Sequence, residues 1–228
     1  MIQPRTYPEL LAKALMLEPE PFAVMTHDDQ PIIEGLVLTA LVGVGVGVAR
    51  AIGGLLFSWA MPPAAALEAA ARQAAAMRMP NGVGIALPLP VESWTLFRLS
   101  AGYDTGWALL FSLIFAPFLM LVLWLAAGLL AYAVGRMAGG TGTLRQVLGA
   151  SALVAAPAVL LLLTFIPFVA INPLLPIVWG LLILYRAMQS AHNMAWQTAA
   201  WATVIAAALL LAAGALLAGS VGALLVWL

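Results

Sequence analysis

Two arginines bracket a run of glycines and threonines in the stretch Gly135-Arg136-Met137-Ala138-Gly139-Gly140-Thr141-Gly142-Thr143-Leu144-Arg145-Gln146. Glycines leave backbone N–H groups uncovered, and an arginine fork binds phosphate or carboxylate through two parallel hydrogen bonds. The pattern therefore suits a lipid phosphate or an acidic group of a partner protein. Thr141 and Thr143 are placed to cap the helix that follows. A simpler reading asks for no ligand: a tight turn whose positive charge anchors it at a membrane surface. Nucleotide chemistry is excluded, because the run lacks a Gly-Lys-Ser/Thr ending and a preceding strand.

A second polar group, Arg186, Gln189, His192 and Asn193, lies further along. On a helix Arg186, Gln189 and Asn193 share a face, and they would join Arg136 and Arg145 in one basic patch. The competing reading is a solvated helix end, where arginine is favoured by the helix dipole. Glu34 and Arg50 stand inside a long apolar run, where an isolated charge costs about 2.5–3.5 kcal/mol. Glu34 lies one turn into that run and can face headgroups. Arg50 can snorkel, pair with Glu92 or Asp104, or line a polar pocket. Sixteen residues separate the two, roughly 24 Å along a helix, so they cannot pair with each other. The histidines are His27 and His192, no acid follows Asp104, and there is no cysteine. No catalytic or metal-binding constellation follows from such a set, and no cofactor is expected.

These residues are embedded in a chain that is 64% hydrophobic and 8% charged, with a mean hydropathy of +1.07. Soluble domains carry about 25% charged residues, so a soluble globule is excluded. A formal net charge of zero argues against nucleic acid as a partner. Residues 1–31 hold Glu9, Glu18, Glu20, Asp28 and Asp29 among broken apolar positions, which is unlike a signal peptide and leaves them in the mature protein. They read as one or two short amphipathic helices over 6–27. Such a segment lies on the membrane or tucks against the bundle.

Residues 32–228 read as a five-helix transmembrane domain with spans near 32–59, 105–134, 146–166, 172–189 and 198–228. Pro117 and Pro157 predict kinks. Residues 60–104 read as an external loop carrying an interfacial helix. In the first span Gly35, Thr39, Gly43, Gly47 and Ala51 recur every fourth residue, a small-residue stripe for close helix packing, Gly35, Gly43 and Gly47 above all. Arg136, Arg145, Arg186, Arg5 and Lys13 place the N-terminus and both polar turns on the cytoplasmic side, and an odd number of spans puts the C-terminus outside.

The order of Tyr132 and Arg136, Gly139 to Gln146, Pro157, a short proline-containing connector, Trp179, and then Ala187–Ser190 with Ala191 and His192 resembles the Yip1 family in its bacterial form. The resemblance covers about residues 105–215. It implies an all-α integral membrane fold of five helices, set in a bacterial inner membrane; eukaryotic relatives bind Rab GTPases, a role with no counterpart in bacteria. The resulting expectation is a non-enzymatic protein that organises membrane lipids or protein partners, a second copy among them, through its cytoplasmic face. Arg136, Arg145, Arg186 and His192 would make the contacts. The alternative is a small transporter or channel, or an accessory subunit of one, with Glu34, Arg50 and the two prolines around a wet cavity. A passive subunit would instead turn the small-residue stripe outward.

Overall fold

The computed structural model describes residues 4–60, 106–166, 169, 171–172 and 174–227. The expected external loop beyond Ala60, with its interfacial helix, lies outside them. Among the described residues every regular element is helical, and five helices are long and apolar enough to cross a membrane. After a 3₁₀ turn at Pro4–Thr6 come α1 (Tyr7–Leu15), α2 (Pro19–His27) and α3 (Pro31–Ala60). The helix α4 spans Gly106–Met137. The next, α5 (Leu144–Ser151), runs on as a 3₁₀ helix over Ala152–Phe165, and α6 (Leu174–His192) and α7 (Trp196–Trp227) complete the chain.

The chain divides into two compact units. One is drawn from Met1–Gly43, Pro117–Leu160 and Asn172–Leu228, the other from Val44–Ala116 and Leu161–Ile171. In the first unit the two amphipathic N-terminal helices tuck against the bundle: α2 packs on α5 and α6, and α1 touches α6. Tyr7, Leu10, Ala14, Phe22 and Met25 supply the buried face of α1 and α2. Their opposite face holds Lys13, paired with Glu9 and Glu20 at 2.9 Å each. Fit against the bundle needs small residues. A Cβ on Gly149 of α5 would stand 2.6 Å from Pro31 Cβ and 2.8 Å from the Met25 carbonyl oxygen.

Helix ends follow from local chemistry. Thr143 opens α5 with a capping box: its side chain accepts from the Gln146 N–H, and the Gln146 side chain accepts from the Thr143 N–H. The helix α4 closes where Gly139 takes φ +86°. Gly140 then donates to the Gly135 carbonyl at 2.9 Å and Gly139 to that of Arg136 at 3.1 Å, which is the six-to-one and five-to-two pairing of a Schellman motif. Asn193, at φ 52°, closes α6 the same way as Met194 donates to Gln189. The start of α6 is later than the sequence pattern suggests. Asn172 caps it, accepting from Leu174 at 3.0 Å, so the helix begins after the connector rather than inside it.

The third span departs from a kinked α-helix. From Ala152 it winds as a 3₁₀ helix through Pro157, which lacks the N–H an α-helical ladder requires. The Ala152 N–H turns to Gly149 rather than Leu148. The freed Leu148 carbonyl accepts from Trp124 Nε1 at 3.0 Å and from Ser151 Oγ at 3.1 Å. Around this junction the small residues admit close approach. A Cβ on Gly35 would lie 2.9 Å from the Trp124 ring, and one on Gly128 would lie 2.6 Å from the Leu148 side chain.

Gly35, Thr39, Gly43 and Gly47 are all buried within the chain. At Gly43 an added Cβ would sit 2.5 Å from the Pro117 backbone, whereas at Gly45 it meets the tip of Leu162 at 3.3 Å. Gly43→Leu should therefore lower stability by about 1–3 kcal/mol, while Gly45→Ala stays close to wild type. Thermal melts of the two variants in detergent would compare them, and equal midpoints would contradict this packing.

Candidate functional site

The glycine-rich turn is built around the end of α6. Thr141 N–H donates to the His192 carbonyl at 3.3 Å and Thr141 Oγ1 donates to the same oxygen at 3.4 Å. This satisfies a carbonyl of the last helical turn, which has no partner inside its own helix. The His192 ring is 1% exposed. Glycines line it: a Cβ on Gly135 would fall 2.2 Å from Nε2 and one on Gly140 would fall 2.6 Å from Nδ1. A Cβ on Gly142 would collide first with the Ala191 carbonyl oxygen at 2.3 Å. Tyr132 stacks on the imidazole with centroids 6.4 Å apart and planes at 24°, within the usual range for aromatic pairs. Among the described residues neither ring nitrogen has a hydrogen-bond partner.

The arginines divide. Arg136 is exposed and donates from Nη1 to the Gly140 carbonyl at 3.2 Å, so it braces the turn it precedes. Arg145 is exposed in the first turn of α5. Arg186 is half-buried, donates to Gln189 Oε1 at 3.2 Å, and opens into a cleft of about 270 Å³ beside α2. None of the three has a salt bridge among the described residues. Asn193 falls off the helical face expected to hold Arg186 and Gln189, because it occupies the left-handed cap. His192 is buried where the two turn arginines are exposed: its ring packs under the turn.

Glu34 does not face headgroups. It is 3% exposed and accepts from Tyr7 Oη at 2.6 Å, tying α1 to the first turn of α3. Burial, followed by this hydrogen bond and the adjacent carboxylate charge, pushes the Tyr7 pKa up to about 12. Arg50 is exposed and belongs to the other unit. Three contacts were not legible in the sequence: those of Tyr7, of Trp124, and of Trp179, whose Nε1 donates to the Leu15 carbonyl at 2.8 Å. The available signal was chemical type, since Tyr and Trp in apolar surroundings carry one polar atom that seeks a partner. No group of three or more His, Asp or Glu able to hold a metal gathers among the described residues.

The Yip1 domain family model matches residues 13–217, most of the chain. Among curated proteins and among solved structures nothing matches.

Two outcomes follow. Gly135→Ala should destabilise by about 1–3 kcal/mol through overpacking. In a His192→Ala background the same change should turn neutral or favourable, since Ala exceeds Gly in a helix by up to about 1 kcal/mol. Gly142→Ala should show no such rescue, because its obstacle is backbone. Urea or thermal unfolding of the double-mutant cycles reads this directly. For Tyr7, the fold favours the neutral phenol. Its stabilising contribution is whole below pH 10, the ordinary tyrosine value, and is lost as pH rises through about 12. Phenolate absorbance of wild type minus Tyr7→Phe should therefore titrate near 12; a component ionising near 10 would refute the buried bond.

Proposed function

The chain belongs to the Yip1 family, and on that premise we propose that it is a non-enzymatic multi-pass protein that organises lipids or partner proteins at the cytoplasmic face of the cell membrane. That it is an integral membrane protein with several apolar helices is established by the family and by its five long apolar helices. The finer role rests on one observation. Arg136 and Arg145 are exposed, free of carboxylate partners among the described residues, and fixed in place by a turn that is hydrogen-bonded to the end of α6.

Exposed positive charge without a carboxylate partner at a helix boundary is what an anionic surface attracts, each arginine contributing about 1 kcal/mol. Nearby Trp196 and Trp201 are 63% and 70% exposed, as residues of the aromatic belt at a membrane boundary would be. No acid follows Asp104, so the turn carries Arg136 and Arg145 with no carboxylate of its own. The distribution of basic residues supports a cytoplasmic N-terminus and turn, and an external C-terminus. The transporter alternative draws no support from the site, since Glu34 is engaged by Tyr7 and Arg50 is exposed.

The test is the triple variant Arg136→Gln/Arg145→Gln/Arg186→Gln in the full chain. With topology unchanged, its enrichment for anionic over zwitterionic lipid in nanodiscs, or its recovery of partner proteins, should fall by more than about tenfold. Wild-type values for both measurements would eliminate the proposal.

A further inference from the structure

We propose that the cleft between α2 and the last turns of α6 holds the phosphate headgroup of a single anionic phospholipid, with Arg186 supplying the counter-charge. This deepens the lipid role proposed above and rests on it. Pro19, Phe22, Ala23, Arg186, Gln189 and Ser190 line the cleft, and it has the makings of an anion site that the exposed turn lacks.

Charge comes first. Arg186 is half-buried on an apolar helix and has no salt bridge among the described residues. A guanidinium withdrawn from water without a counter-ion is unfavourable, more so next to hydrocarbon. One of its five N–H donors goes to Gln189. Among the described residues no further side-chain acceptor meets the others, which leaves them for a ligand. No carboxylate lines the cleft, and Glu20 of α2 is paired with Lys13 at 2.9 Å. Ser190, one residue beyond Gln189 on the same wall, adds a hydroxyl suited to a phosphate oxygen.

Depth comes second. Lys13 and Glu20 are charged side chains that need water or headgroups around them, so the α2 wall, with Pro19 beside Glu20, lies at the polar boundary of the membrane. Arg186 is six residues, roughly 9 Å, before the end of α6, and the cleft brings that boundary to it.

The occupant is a lipid rather than free phosphate because of what continues below. Leu182 and Trp179 stand four and seven residues before Arg186, on the same face of α6, and are 40% and 37% exposed. With the Trp179 indole N–H held by the Leu15 carbonyl at 2.8 Å, the two offer apolar surface on the side of α6 that carries Arg186, along which an acyl chain can lie. Phe22, 1% exposed, gives the cleft an apolar floor against the glycerol region.

The experiment counts lipids retained by the full-length protein in native mass spectrometry after exchange into phosphatidylglycerol or phosphatidylcholine. Wild type should keep one phosphatidylglycerol that phosphatidylcholine does not replace. Arg186→Gln should lower its occupancy about fivefold, the equivalent of one arginine at an anionic surface, and Arg186→Lys should retain part of it. Ala23→Trp leaves every charge in place and fills the cleft, so it should lower occupancy as well. Unchanged retention in both Arg186→Gln and Ala23→Trp would overturn the proposal, as would inorganic phosphate emptying the wild-type site as fully as Arg186→Gln does. The double variant Arg136→Gln/Arg145→Gln separates the two readings. Loss of bulk anionic-lipid enrichment in that variant, with the single lipid untouched by Arg186→Gln, ends the cleft proposal and leaves the lipid role standing. No change in any variant ends both.

Discussion

Trp124 donating to the carbonyl of Leu148 is the interaction on which the arrangement of the first unit turns. Inside a bilayer no water is present to satisfy a backbone group, so every carbonyl released from a helix must find a donor in the protein. The third span releases one where it tightens from α to 3₁₀ winding ahead of Pro157. The indole of α4 and the Ser151 hydroxyl supply the hydrogen bonds. For the indole to reach that carbonyl, α3, α4 and α5 must come together closely, which is why Gly35 and Gly128 lie there without side chains. A break in one helix thus fixes the packing of three.

The same logic shapes the turn. The end of α6 leaves carbonyls unpaired, and Thr141 answers one of them with both its N–H and its hydroxyl. The turn can come that near because Gly135, Gly140 and Gly142 leave room for the His192 ring and for the Ala191 carbonyl. Arg136 then closes the loop on the Gly140 carbonyl. The result is a surface turn that presents two exposed arginines on a hydrogen-bonded backbone. In the same unit, α1 and α2 are held by Tyr7 on Glu34 and by Trp179 on Leu15. Each is a single polar atom on a largely apolar ring, engaged where hydrocarbon and polar group meet.

Much of the fold was legible in the sequence, and the site was legible in part. Long apolar runs between charged turns determine five membrane helices because hydrocarbon thickness and the 1.5 Å helical rise leave little choice. The Thr143–Gln146 capping box and the Gly139 stop are local chemistry, readable over four or five residues. The fate of His192 was not readable that way. Sequence proximity to Arg186 and Gln189 groups it with polar neighbours, yet its ring direction is set by Tyr132 and three glycines about fifty to sixty residues upstream. Glu34 was similarly opaque, since its partner lies 27 residues away on a different helix.

The amino-acid sequence by itself determined that this chain lives in a membrane, how many times its apolar helices can cross, where the turns fall and which turn is positively charged. All of these depend on composition and on contacts within a few residues. Tertiary structure alone decided how the polar atoms are distributed. It put Arg136 and Arg145 on the surface, His192 beneath them, Arg186 in a cleft walled by α2, and Glu34 in the grip of Tyr7. The physical reason is that a buried polar group is placed by whichever donor or acceptor the folded chain brings within about 3 Å, and in this bundle those partners come from distant helices.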